Sequence, residues 1–243
     1  MFVSSSPLPF KNTLVVGVPD GRNHLTPKTF AAFQHLYQHH LEDYDWFLKG
    51  DDDLYVILEN LRLFLSHLSP DKPAYLGHHF RFFVHNGYMS GGASYVLSKE
   101  ALRRLGEKGV GSLTPLCSLE ETSEDVAMGQ CMEVLGVSPI KTSDVFGRQS
   151  FLPFSLEYVL FDQGNCVKSN FSLNPMSAGR ECCSQLSISF HYIEPRMMYM
   201  IDMLLYRVSV YGRHGQDVAL RTSVFKPQVE EIDHKDDQEI FYP

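Results

Sequence analysis

The sequence predicts an α/β fold in which short strands alternate with amphipathic helices. Two observations carry that reading. Apolar runs rich in β-branched and aromatic residues recur between stretches with helical hydrophobic spacing, the pattern of a sheet with crossover connections. Three consecutive carboxylates, Asp51, Asp52 and Asp53, directly follow one of those runs. Ligands of such sheets collect at the carboxyl ends of strands, which is where this triplet falls.

The elements follow in chain order. Residues 13–18 read as a buried strand closed by the turn Pro19, Asp20 and Gly21. Thr26 then Pro27 supply an N-cap and a first-turn proline. The helix they open carries Phe30, Phe33, Tyr37 and Leu41 at helical spacing, with Ala31 and Leu36 beside them. Residues 45–49 form the next strand. After the aspartates, Leu54, Ile57, Leu58, Leu61, Phe64, Leu65 and Leu68 mark a second amphipathic helix. Residues 74–77 are a short strand, and a glycine-rich turn at 87–94 runs into another at 95–97. Ser98 caps a helix containing Ala101, Leu102 and Leu105. Ser123, Glu124 and Asp125 open a further helix with Val126, Met128, Met132 and Leu135, stopped by Gly136. Residues 187–190 are a last strand, and 201–210 are helical. The expected organisation is an irregular N-terminus at 1–11, one domain at 12–225 and an acidic flexible tail at 226–243.

With 243 residues, 44% hydrophobic and 12% aromatic, the chain has ample material for a buried core. Its net charge of −8, from 29 acidic and 21 basic residues, disfavours nucleic acid as a partner. A phosphate ligand stays open, because a metal can supply local positive charge. No run of about 18 apolar residues spans a membrane, and the first ten residues lack the pattern of a signal peptide. The five cysteines leave at least one unpaired in any disulfide scheme. Zinc is a weak reading, because Cys182 and Cys183 are adjacent and no CxxC spacing is present. The sequon Asn170, Phe171, Ser172 together with the cysteines favours disulfides and a secretory compartment.

Several groups carry two readings each. Asp51, Asp52 and Asp53 could simply favour the positive end of a following helix. Three carboxylates after an apolar strand are better explained by a bound cation, and oxygen ligands suit magnesium or manganese. Such a cation would neutralise a departing diphosphate. His191 follows the last strand, where an isolated histidine is more often a surface residue than a ligand; as a ligand it would favour manganese over magnesium. Glu124 and Asp125 are ordinary first-turn acids unless one takes a proton as general base. Gly91 and Gly92 let backbone approach a ligand closely but match neither GxGxxG nor GxxxxGK[ST]. The pairs His39, His40 and His78, His79 read as solvated and without a role.

In this order, residues 45–61, 87–93, 95–101, 124–133, 182–184 and 189–192 resemble the core 1 β1,3-galactosyltransferase family. These are fringe-like inverting glycosyltransferases of GT-A fold, a Rossmann-like mixed sheet flanked by helices. The resemblance covers roughly residues 12–212. It implies that Asp51, Asp53 and His191 bind Mn2+, and that Asp51, Asp52, Gly91, Gly92, His191 and Tyr192 hold the nucleotide sugar. It implies that Asp125 is the general base. Asp125 would take a proton from O3 of N-acetylgalactosamine on serine or threonine while that oxygen attacks C1 of UDP-galactose from the face opposite UDP. Cys117 and Cys131 match a family disulfide. Glycoprotein acceptors, a homodimer and a type II Golgi membrane location are likewise implied, with no anchor in this chain.

Departures from the family pattern are equally specific. The family's anchor, stem and first strand-helix unit have no counterpart here, which implies an N-terminally truncated domain. An acceptor segment rich in tryptophan and tyrosine is replaced by residues 158–179, which contain no tryptophan. Gly50 and Ser94 stand where alanine and glycine are usual. The rival readings are an inactive member acting as chaperone or partner of an active enzyme, and a fringe-like transferase of another sugar.

Overall fold

The computed structural model describes residues 1–161 and 171–208. Cys166, Asn170 and the expected tail at 226–243 lie outside them. The chain opens with β1 (Phe2–Ser4), which pairs in parallel with β2 (Thr13–Val15). Residues 1–11 are therefore not irregular throughout. Nor is β2 the buried strand its apolar run suggested: among the described residues its sole strand partner is β1, and Val15 is 47% exposed. An apolar run reports hydrophobicity, and burial needs a covering partner as well.

α1 (Leu25–His40) begins one residue before the expected cap. Thr26 is fully buried instead, its hydroxyl donating to the Glu121 carbonyl at 2.6 Å. β3 (Trp46–Lys49) leads into the aspartates, which are followed by β4 (Tyr55–Val56) and only then by α2 (Leu58–Leu65). Leu54 thus lies outside the helix expected to contain it. β5 (Tyr75–Gly77), β6 (His79–Phe80), β7 (Tyr88–Met89) and β8 (Tyr95–Ser98) come next. Ser98 caps α3 (Lys99–Arg104) as expected, accepting from the Ala101 amide at 3.1 Å. A π-helical stretch, Leu105–Val110, precedes α4 (Glu124–Val134), which ends at Gly136 with φ of 65°. β9 (Pro139–Ile140), β10 (Phe151–Leu152), α5 (Leu156–Phe161), β11 (Ser189–Phe190) and α6 (Pro195–Tyr206) complete the described chain. α6 starts before the expected 201, with proline in its first turn.

The main sheet has the order β3-β8-β5-β9 and is mixed: β8 is antiparallel to β3 and β5, while β9 is parallel to β5. A second sheet, β10-β11-β4, is also mixed, and β6 with β7 forms a hairpin. The alternation of side chains along the strands separates two cores. Tyr75, Tyr95 and Leu97 face Phe30 and Phe33 of α1 and Met128 and Met132 of α4. Leu76 and Val96 face the other way, onto Leu61, Phe64 and Leu65 of α2 and onto Phe151 and Ile188. With both faces covered, β5 and β8 are buried at every position, which is why they read as continuous apolar runs. Among the described residues no helix is long and apolar enough to cross a membrane.

His78 is the clearest correction to the sequence reading. It is 1% exposed rather than solvated. Its Nδ1 lies 3.1 Å from the Phe151 carbonyl and must donate there, leaving Nε2 to accept from the Ser172 hydroxyl at 2.8 Å. Burial pushes its pKa from 6.5 down to about 3. Between those values the unfolded chain binds the proton and the folded chain does not, so stability falls as pH falls. At 1.36 kcal/mol per pH unit below 6.5, the loss at pH 5 is about 2 kcal/mol. Urea unfolding at pH 7.5 and pH 5 should show this difference, and His78→Gln should flatten it; an equal slope in the variant would exclude His78 as its source.

Candidate active site

Strand pairing assembles the first half of the site. β11 lies antiparallel to β4 with Phe190 opposite Tyr55 and Ser189 opposite Val56. Continuing that register past both strand ends brings His191 towards Asp53. A hydrogen bond from the Ile193 amide to the Asp53 carbonyl, 2.8 Å, clamps the two turns together. Asp51, Asp53 and His191 each present a ligand atom, all within 4.8 Å of one another. The imidazole is held from behind, because Nδ1 donates to the Pro153 carbonyl at 2.9 Å. Its Nε2 is therefore left facing Asp53, 3.5 Å from Oδ1. Such a backbone partner fixes the tautomer of a metal-binding histidine.

Two carboxylates and one oriented imidazole fit a divalent ion with borderline preference, manganese better than magnesium. The alternative reading of the triplet as helix-capping charge does not hold, because β4 separates it from α2. Asp52 is exposed and stands outside the cluster. Tyr192 takes a left-handed φ of 56° and stacks its 60%-exposed ring on His191, with centroids 3.8 Å apart. Non-glycine residues rarely adopt that backbone without local compensation.

The glycine loop also serves the site's own packing. A Cβ on Gly92 would fall within the His191 ring, and one on Gly91 would crowd Glu124 and Asp125. The glycines make room for the site's own side chains, whatever ligand also approaches. Asp125 is half-buried at the start of α4, its Oδ2 accepting from the Gly91 amide at 3.1 Å. Glu124 is buried and does not cap the helix. One of its oxygens accepts from the Tyr95 hydroxyl at 2.5 Å, and the other lies 3.4 Å from Lys49 Nζ.

Lys49 is the residue that sequence reasoning missed. Its ammonium also lies 2.7 Å from Asp51 Oδ1. A signal existed, because residues two apart at a strand end share a face. Burial works against the Lys49 charge, but Glu124 and then Asp51 outweigh it and the pKa is raised. Burial pushes the Glu124 carboxyl up, although Lys49 and Tyr95 oppose that. Tyr88 is pushed up to about 12 by burial and by the Asp125 charge beyond it.

Cys117 and Cys131 are bridged, with Cα atoms 4.9 Å apart, which ties the segment before α4 to that helix. Cys182 and Cys183 are bridged to each other, a pairing that the sequence left open.

A mixed α/β fold that gathers two carboxylates and an imidazole, with a helix-borne acid nearby, is an arrangement suited to metal-assisted group transfer. The chain belongs to the Fringe-like family, whose model matches residues 19–202. It is 41% identical over 201 residues to the glycoprotein-N-acetylgalactosamine 3-beta-galactosyltransferase 1 of Xenopus laevis, covering 81% of this chain and 55% of that protein. It is 29% identical over 150 residues to a mouse beta-1,3-glucosyltransferase, 60% of this chain and 29% of that one. Human chondroitin sulfate synthase 3 is 30% identical over 119 residues, 45% of this chain and 13% of that protein. The chain thus spans about half the length of the Xenopus relative and less of the others.

Proposed function

We propose that this protein is an inverting, Mn2+-dependent galactosyltransferase that extends N-acetylgalactosamine on glycoproteins in β1,3 linkage. The observation that carries the reading is the cluster of Asp51, Asp53 and His191 and its link to Asp125 through Lys49 and the Gly91 loop. Lys49 contacts both Asp51 and the carbonyl of Gly91, whose amide holds Asp125, so one short chain of contacts joins the two halves. The 41% identity to an enzyme named for β1,3-galactosyl transfer to glycoprotein N-acetylgalactosamine supports the donor and acceptor.

In this reading Asp125 accepts the proton of the sugar O3 hydroxyl, which makes that oxygen a better nucleophile. The new bond forms between O3 and C1 of galactose as the bond from C1 to the diphosphate oxygen breaks. Displacement from the opposite face inverts C1. Asp51, Asp53 and His191 would hold a Mn2+ ion, which would supply Lewis-acid stabilisation to the departing diphosphate. The exposed ring of Tyr192 and the backbone at Gly91 and Gly92 would contact the nucleotide sugar, with Asp52 at its edge. By the family resemblance the protein works in the Golgi, where its disulfides persist.

A donor panel of UDP-galactose, UDP-glucose and UDP-N-acetylglucosamine, with and without Mn2+, against an N-acetylgalactosamine peptide tests this directly. Transfer should require UDP-galactose and Mn2+, and Asp53→Ala should abolish it. Full activity of Asp53→Ala would remove the metal assignment. Preferential turnover of UDP-glucose would instead favour the likeness to the mouse glucosyltransferase.

A further inference from the structure

We propose that Lys49 is the positioning residue that ties the candidate metal centre to the candidate base, an inference that rests on the function proposed above. The geometry begins in the sheet. Lys49 is the last residue of β3 and pairs across the ladder with Tyr95 of β8. The two side chains meet the same carboxylate: Tyr95 donates to Glu124 Oε1 at 2.5 Å, and Lys49 Nζ lies 3.4 Å from Glu124 Oε2. Glu124 is 6% exposed, so it is fixed from both sides.

The ammonium does more than balance that buried charge. It also donates to Asp51 Oδ1 at 2.7 Å and lies 3.4 Å from the Gly91 carbonyl. The amide of Gly91 in turn donates to Asp125 Oδ2 at 3.1 Å. One compact cation with three donors therefore touches a metal-side carboxylate, the loop that orients Asp125, and the residue before Asp125 on α4. Lysine suits this task as a point charge that can satisfy acceptors in divergent directions, which a planar guanidinium cannot.

A purely structural ion pair makes a different prediction from a positioning one. If Lys49 only neutralised Glu124, removing both charges together would restore the parent protein, since a buried pair can often be replaced by neutral groups. If Lys49 sets the spacing of the two halves, the neutral pair would fold and still fail. Its positive charge also opposes a second cation on Asp51, so its removal should tighten metal binding while slowing the reaction. Opposite movements of affinity and turnover form a signature that misfolding does not produce.

The experiment compares the parent chain, K49M, E124Q and the double variant K49M/E124Q. Thermal midpoints are read without substrate, Mn2+ binding is read from the EPR signal of the free ion, and turnover is read with saturating donor and acceptor. K49M alone should lose stability, because it strands the Glu124 charge. K49M should bind Mn2+ at least threefold more tightly; the double variant, which loses one charge of each sign, should regain the parent midpoint, keep its Mn2+ affinity within threefold of the parent and turn over at least tenfold more slowly. A double variant with parental turnover would overturn the proposal, as would one whose Mn2+ affinity falls together with turnover. The metal assignment has its own control: if Mn2+ binding is the same in Asp53→Ala as in the parent, that assignment fails, while the turnover of the neutral pair still decides the role of Lys49.

Discussion

Gly92→Ala is expected to weaken Mn2+ binding by about 10–100-fold, as loss of a buried support for a metal ligand does. Transfer should fall with it. The effect arises from one methyl group, because a Cβ at position 92 would occupy the place of the His191 ring. His191 cannot move aside without giving up its hydrogen bond to the Pro153 carbonyl and its approach to Asp53. The backbone at Gly92 has an ordinary φ, so the substitution acts through this clash and not through backbone strain. Gly17→Ala is the matched control, since a Cβ there meets nothing within 4 Å. Calorimetric titration of Mn2+ into both variants, after circular dichroism has shown that each is folded, separates the outcomes. Parental Mn2+ affinity in folded Gly92→Ala would remove His191 from the ligand set.

In the main sheet β3, β5 and β8 were legible, the last two because they are buried on both faces and carry apolar runs, whereas the two-residue β9 was not. The cap at Ser98 and the stop at Gly136 were legible because each is a local interaction of a side chain or a φ angle with its own helix end. What failed depended on distant partners. Thr26 looks like a cap until the Glu121 carbonyl, 95 positions away, takes its hydroxyl. His78 looks solvated until Phe151 and Ser172 close over it. β4 is two residues long and has no periodicity to detect; its existence comes from the ladder with β11. Ser94 is the reverse case, where a departure in sequence acquires a physical meaning. It sits at φ of 69°, fully buried, with a hydroxyl that finds no partner among the described residues. Glycine, which the family pattern places there, would adopt that backbone freely.

The site was legible as residue types in order, and its mutual geometry was not. Asp51, Asp53 and His191 lie up to 140 positions apart in sequence, and the register of β4 with β11 brings them together. Lys49 was passed over because a lone lysine at a strand end is unremarkable until its three acceptors are known. Glu124 and Asp125 read alike as first-turn acids, yet the fold turns one into the core and leaves the other facing the site.

That difference favours Asp125 over Glu124 as the proposed base, and Asp125→Asn tests it. Turnover is expected to fall by about 10²–10⁴-fold, the usual contribution of a positioned general base. The Michaelis constants for donor and Mn2+ should stay within about threefold, because an interaction used only in the transition state lowers turnover and not binding. Asparagine has the same shape and its one oxygen can still accept the Gly91 amide, so the loop should keep its place, while the contact with the Val126 amide is given up. Glu124 is a poor candidate on geometry alone. It is 6% exposed, and its two oxygens are already engaged by Tyr95 and Lys49. Asp125 is half-buried, and its two bonds come from main-chain amides of Gly91 and Val126, which leave a lone pair on each oxygen for an incoming hydroxyl. Turnover of Asp125→Asn within tenfold of the parent would place the base elsewhere, whereas a parallel loss of donor and Mn2+ binding would assign Asp125 to the architecture of the Gly91 loop.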